Sequence, residues 1–257
     1  MGSWSGITNL LNFSLQFDDL SFQDETYFTY ERRVNEIAEG FLRNGLAATW
    51  FGTLRADQGR RLDEAVLATC KRSGLRRVMI GMEAGSQETI DAIQKDITVD
   101  DMWQTAEKLV RHGIGAVINV IVGFPGESAA SVDESLRVAN ELRKMSSDFE
   151  LAVFYFKPYP GNPIAERLIA EGYPLPNDLQ TWAAFDYVGD DSSWLTNDQK
   201  ARIDGFSFYQ KVAWSRRSGP ISTPLKLAAR ARIRRHMYRL PIERRLIERF
   251  RDRPALS

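Results

Sequence analysis

Arg77-Val78-Met79-Ile80-Gly81-Met82-Glu83-Ala84-Gly85-Ser86-Gln87 is an apolar run that ends on a carboxylate and a small-residue turn and leads into a helical pattern. Such a run, bounded by a turn signal, reads as a buried strand. Four more runs of the same character flank it: Asn12 to Phe17, Ala48 to Leu54, Val117 to Gly123 and Glu150 to Phe156. Each is followed by a helical pattern, and the strand starts lie roughly 30 to 40 residues apart, the spacing a parallel βαβ crossover requires. The fold class expected is α/β: a parallel sheet in the manner of a partial (β/α) barrel, followed by a C-terminal helical region.

The helical patterns have recognisable ends. Asp24 is a candidate N-cap for a helix reaching Gly45, with Phe28, Val34, Ile37 and Phe41 recurring at turn spacing. Thr98-x-x-Asp101, Ser131-x-x-Glu134 and Thr196-x-x-Gln199 have the form of capping boxes. Leu62, Val66 and Cys70 share one apolar stripe, which makes Cys70 a buried, inert thiol rather than a nucleophile or ligand. The pattern changes after Pro176, so residues 1–175 read as the barrel and 176–257 as a helical extension with a basic tail.

Composition narrows the function. The 257 residues carry 34 Lys and Arg, 34 Asp and Glu, two His and one Cys. A single Cys cannot close an internal disulfide, and a zinc or iron-sulfur centre usually takes about four protein ligands. No stretch reaches the roughly 18 apolar residues of a membrane span, and the start lacks the basic-then-apolar order of a signal peptide, so a cytoplasmic protein is expected. The neutral total hides an asymmetry: Lys211 to Ser257 holds 14 basic and 3 acidic residues, leaving 20 basic and 31 acidic before it. That tail fits an acidic surface, either the body of the same chain or a membrane contacted through Leu240, Ile242, Leu246, Ile247 and Phe250. Its few aromatic residues argue against nucleic acid.

In parallel barrels, ligands bind at the C-terminal ends of the strands. The residues expected there are Asp18 and Asp19 after the first run, Arg55 after the second, Glu83 after the third, Gly123 to Glu127 after the fourth and Lys157 to Gly161 after the fifth. Loops are polar in any case, so no one of these is decisive alone. As a set they suggest a site for a polar, charged small molecule. Gly123 and Gly126 permit close approach of backbone to a flat ligand, and also suit an ordinary strand-to-loop turn.

The ordered segments Phe17-Asp18-Asp19-Leu20-Ser21-Phe22, Leu54-Arg55-Ala56-Asp57, Ser73-Gly74-Leu75, Ile80 to Gln87, Lys95 ahead of Thr98, Val122 to Glu127 and Pro158-Tyr159-Pro160-Gly161-Asn162-Pro163 resemble the radical S-adenosylmethionine enzymes, in particular the branch with an N-terminal cobalamin-binding domain. The resemblance covers about residues 12 to 175. It implies a partial barrel that holds S-adenosylmethionine and, in the full-length family member, a [4Fe-4S] cluster and cobalamin. The cleaved cofactor then yields a 5′-deoxyadenosyl radical. By the same resemblance, Asp18 and Asp19 meet the methionyl amino group, Glu83 the ribose and Lys95 the methionyl carboxylate. Asn119, Gly123, Pro125 and Gly126 lie along the adenosine, and Arg55 faces the same cavity.

The family's CxxxCxxC cluster loop is absent from these 257 residues. The chain therefore reads as a truncated radical S-adenosylmethionine enzyme, of methyltransferase or cyclase-like type, inactive without a missing N-terminal half. Two alternatives are a cluster-free nucleotide or S-adenosylmethionine-binding module, and a basic-tailed interaction protein at a membrane surface. If a barrel strand is missing, Asn12 to Phe17 is an exposed edge and an aggregation hazard.

Overall fold

The structure, a computed structural model, describes residues 18–184, 192–215, 219 and 222–238. Its strands form one five-stranded sheet in the order β1-β2-β3-β4-β5: Asp19–Ser21, Thr49–Arg55, Leu75–Glu83, Gly115–Val122 and Phe149–Tyr155. The β1–β2 and β2–β3 pairs are parallel. Between β4 and β5, Ala116 donates to the Asp148 carbonyl near the strand starts and Phe156 to the Val122 carbonyl at their ends, the pattern of a parallel pair. Helices α1 (Glu31–Arg43), α2 (Ala56–Arg61), α3 (Glu64–Arg72), α4 (Gln87–Ala92), α5 (Val99–Arg111) and α6 (Ala129–Lys144) lie in the crossovers. Helices α7 (Pro163–Ala170), α8 (Leu179–Ala183), α9 (Asn197–Ala213) and α10 (Ser222–Arg234) follow β5. This is the α/β partial-barrel order with a helical C-terminal region that the sequence pattern leads one to expect.

Contacts group the chain into two compact units interleaved in sequence: Met1–Gly81 with Asp100–Val117 and Met145–Glu150, and Met82–Val99 with Ile118–Lys144 and Leu151–Ser257. The first unit is built around Trp50. Its indole is fully buried against Phe22, Tyr27, Phe28 and Phe41, and its Nε1 donates to the Ser73 hydroxyl at 3.1 Å. Cys70 is 0% exposed in this unit, and burial pushes its thiol up to about 12, the inert state expected of a stripe cysteine. Helix α5 is tied to α2 by the Thr105 hydroxyl donating to the Ala56 carbonyl at 2.7 Å and by the Arg60–Asp101 pair. Asp101, read above as part of a capping box, also joins its helix to a neighbouring one through Arg60.

In the second unit, α9 starts at the capping box of Thr196 and Gln199, as expected from sequence. Tyr155 at the end of β5 donates to Asp204 of α9 at 2.8 Å, and Phe206 stacks edge-on against Tyr238 beyond α10.

Two helix starts differ from the sequence expectation. Asp24 caps nothing: its carboxylate takes Arg33 and its carbonyl takes the Thr53 hydroxyl, while a short 3-10 turn, Tyr27–Thr29, precedes α1. Ser131 lies inside α6, whose start is held by the Ser128 hydroxyl accepting from Ser131 N–H at 3.0 Å. Glu134 pairs instead with Arg137. The expected strand Asn12 to Phe17 and the apolar stripe Leu240 to Phe250 lie outside the described residues. Among the described residues no helix is long and apolar enough to cross a membrane.

Truncating Trp50 removes the centre of the first unit's aromatic cluster, so Trp50→Ala is expected to cost about 3 to 5 kcal/mol, measured as a lower urea midpoint. A midpoint unchanged from wild type would show that the cluster is not the core of that unit.

Candidate functional site

The last residue of β3 is Glu83, held in the left-handed backbone region at φ 60. The strained turn continues through Ala84 to Gly85, where a Cβ would stand 2.8 Å from Ser135 Cα, so only glycine lets α6 pass this close. Gly85 N–H donates to the Ser135 hydroxyl at 2.9 Å, fixing the exit from the strand. Lys95 lies between Gln94 and Asp96, both also at positive φ, and this tight double turn brings its Nζ to 2.6 Å from Glu83 Oε1. The pair is largely buried, with side-chain exposures of 29% for Lys95 and 15% for Glu83. Both residues line a cavity of about 440 Å³ walled by Ile121, Phe124 and Phe156 and bordered by Lys157. A part-buried ion pair beside aromatic walls can receive a zwitterion attached to a flat ring system.

The turn after β4 forms the neighbouring wall. Alternation along β4 buries Ile118, Val120 and Val122 on one face and leaves Asn119 on the other with Ile121, which lines the cavity. Gly123 and Gly126 have φ of 79 and 80, values only glycine adopts readily. Glu127 organises this turn: one carboxylate oxygen accepts Gly123 N–H at 2.7 Å and Phe124 N–H at 3.1 Å, and the other accepts the Thr89 hydroxyl at 3.2 Å. Burial pushes its carboxyl above the usual range, against the pull of those donors. The Gly123 carbonyl accepts the Trp194 indole N–H at 2.8 Å, and a Cβ on Gly123 would meet Leu195 at 2.6 Å. The close approach that Gly123 permits is therefore made by residues 194 and 195 of the same chain. Gly126 has open space around its missing Cβ and, with Pro125, borders a smaller cavity of about 200 Å³.

The first unit places its residues differently from the sequence expectation. Asp19 begins β1 rather than ending a strand, because the register sets it opposite Thr49, the first residue of β2. Its carboxylate accepts the Thr49 hydroxyl at 2.7 Å and both Nε and Nη2 of Arg76, at 2.8 and 2.6 Å. The Arg76 guanidinium holds it down at about 2. Asp18 is exposed, and its carbonyl accepts Thr49 N–H at 3.0 Å. Both aspartates thus stand at the N-terminal end of the strand pair, whereas Arg55 closes β2 at the opposite end, its Nε 3.0 Å from Asp57. The expectation of Asp18 and Asp19 at a strand's C-terminal end is corrected by that register.

Sequence reading places Glu127 among the polar strand-end residues of the Gly123-Phe124-Pro125-Gly126-Glu127 segment but gives it no role of its own in holding the turn. Its offset of four from a glycine ending a strand is the signal that pointed to it. Among the described residues no group of three or more His, Cys, Asp or Glu could hold a metal ion.

Residues 57–139 match the radical SAM superfamily. The chain is 26% identical over 183 residues to an uncharacterized methyltransferase of Pyrococcus horikoshii, covering 70% of this chain and 38% of that protein. It is 23% identical over 145 residues to the anaerobic magnesium-protoporphyrin IX monomethyl ester cyclase of Rubrivivax gelatinosus, covering 56% of this chain and 25% of that protein. The chain thus spans well under half the length of either relative.

Among solved structures, the apo form of the cobalamin-dependent S-adenosylmethionine radical enzyme OxsB superposes with a TM-score of 0.56 at 11% identity, covering 91% of this chain and 42% of that one. The radical S-adenosylmethionine methyltransferase TsrM of Kitasatospora setae superposes with a TM-score of 0.50 at 15% identity, covering 60% and 31%. These likenesses show the fold alone; the resemblance to the radical SAM superfamily in sequence is confined to the match over residues 57–139.

Proposed function

We propose that this chain is the S-adenosylmethionine-binding part of a radical SAM enzyme of methyltransferase or cyclase-like type, acting on a small molecule in the cytoplasm. In this reading residues 1–175 form the barrel and 176–257 its helical extension. The observation that carries the proposal is the Glu83–Lys95 pair on the wall of the 440 Å³ cavity. The Lys95 ammonium, at the cavity wall, is the cation that would face a methionyl carboxylate, while Glu83 presents carboxylate oxygens to ribose hydroxyls. Asn119 shares its strand face with Ile121 of that wall. Pro125 and Gly126 supply backbone beyond Gly123, whose N–H and carbonyl are already engaged. When bound, S-adenosylmethionine supplies an activated sulfonium carbon, and the chain's own task is to fix both of its ends and exclude water with Phe124 and Phe156.

Asp18, Asp19 and Arg55 fit less directly, since Arg76 and Asp57 occupy the carboxylate of Asp19 and the guanidinium of Arg55. The [4Fe-4S] cluster does not fit this chain: its one cysteine is buried in the core with its thiol held neutral. Cluster thiolates, and any cobalamin of the kind named for OxsB and TsrM, would come from outside residues 1–257. On this reading the chain alone is inactive. The same single cysteine favours a second reading, a cluster-free S-adenosylmethionine-binding subunit, and the iron content of the native product separates the two.

Calorimetric titration of the iron-free chain with S-adenosylmethionine is expected to show one site, weakened about tenfold or more by Lys95→Ala or Glu83→Gln. Undiminished binding in both variants would remove the pair from the site, and a folded chain with no binding at all would sink the reading.

Glu127 gives a test of the turn itself. A buried carboxyl raised above its ordinary 4.5 contributes most when protonated, and that contribution fades as pH rises from about 4.5 through the raised value. Glu127→Gln keeps an acceptor oxygen without the ionisation. The melting temperature of wild type relative to this variant is therefore expected to fall as pH rises above about 4.5. A difference that stays constant over that range would contradict the assignment.

A further inference from the structure

A separate cavity of about 400 Å³ lies in the second unit, where the C-terminal ends of α6 and α9 meet α10. Its walls include Lys144, Trp214, Leu227, Arg230, Ile233 and Arg234. Among the described residues the lining contains three cations and no carboxylate, and of the three Lys144 pairs with an acid, Glu141 at 2.7 Å. Two guanidinium groups stand over the Trp214 indole, Arg143 at 4.5 Å and Arg230 at 4.8 Å from its ring centroid. Trp214 Nε1 is buried and has no hydrogen-bond partner among the described residues. An orphaned buried donor carries a desolvation cost that an acceptor from outside the chain would remove.

Cations at a helix C-terminus complement the macrodipole, which accounts for Arg143 and Lys144 at the end of α6. It accounts likewise for Arg232 and Arg234 in the last turn of α10, but not for Lys226 and Arg230 earlier in that helix, and the whole helix lies in a stretch of sequence without a single acidic residue between Asp204 and Glu243. The floor is apolar, with Ile233 buried and Leu227 60% exposed at the rim. Concavity decides between possible partners: a bilayer or a duplex presents its phosphates on a broad surface, whereas here the unmatched donor is buried and the volume is that of a small ligand.

We propose that this cavity binds a small amphipathic organic anion. Arg230 and Arg234 hold its anionic head, an acceptor oxygen meets Trp214 Nε1, and its apolar body lies on Leu227 and Ile233. Nothing in this site depends on the Glu83–Lys95 cavity, so the two assignments stand or fall separately.

Octanoate, monomeric in solution, is a suitable probe, with octanamide as its neutral isostere. Titrated into the full chain labelled with 15N, octanoate is expected to bind at one site and to move one indole N–H resonance, the one missing from Trp214→Phe. Octanamide, and the Arg230→Glu/Arg234→Glu variant, are expected to weaken binding about tenfold or more. Arg234→Gln, at an exposed position, repeats the test with less risk to folding and is expected to shift affinity in the same direction. Equal affinity for octanamide, octanoate binding with the Trp214 resonance unmoved, full affinity in the charge variants, or binding to phosphatidylglycerol vesicles without any response to octanoate would each overturn the proposal.

Discussion

The carboxylate of Glu127, accepting two successive backbone N–H groups where the chain leaves β4, sets the shape of the second unit's strand ends. Strand ends in a parallel sheet have no further ladder partner, and their buried polar groups must be matched locally or lost. Here one side chain does this for Gly123 and Phe124, reaches Thr89 beyond β3, and positions the Phe124 ring that packs with Phe156. The Glu83–Lys95 pair is the counterpart at the end of β3, with Gly85 allowing α6 to lie close behind it. The cavity is what these two strand-end devices leave between their side chains.

Polar groups in the two units serve different ends. Around β1 and β2, Asp19 with Arg76 and Arg55 with Asp57 satisfy one another, and Trp50 finds Ser73. Such pairs hold a fold together and leave few polar atoms for a ligand. Around the ends of β3 and β4, the ion pair lines an open volume instead. A group's exposure to a cavity, rather than its residue type, separates a structural carboxylate such as Asp19 from a candidate site carboxylate such as Glu83.

Four of the five apolar runs, the crossover spacing, the Thr196–Gln199 box and Glu83 at a strand end were legible in the sequence, because each depends on periodicity or on local capping chemistry. What was not legible depends on register and long-range pairing. Asp19 looked like a strand-end residue because the run before it is apolar, yet its partner Arg76 is 57 positions away. Asp24 and Ser131 had the composition of caps, but Arg33 and the nearer Ser128 compete for those roles. Glu127 was legible as one of the polar residues at a strand end, but not as the group that holds the turn, since that role lies in backbone N–H groups that composition does not show. Trp214 gave no signal at all until α6 and α10 placed two guanidinium groups on its ring.

The account rests on S-adenosylmethionine binding at the ends of β3 and β4, and hydrogen exchange of the iron-free chain with and without that ligand tests it most directly. Protection is expected in peptides spanning Glu83 to Lys95 and Asn119 to Glu127, with the β1 peptide containing Asp18 and Asp19 unchanged. Protection confined to other segments, with these two exchanging as in the free chain, would contradict it.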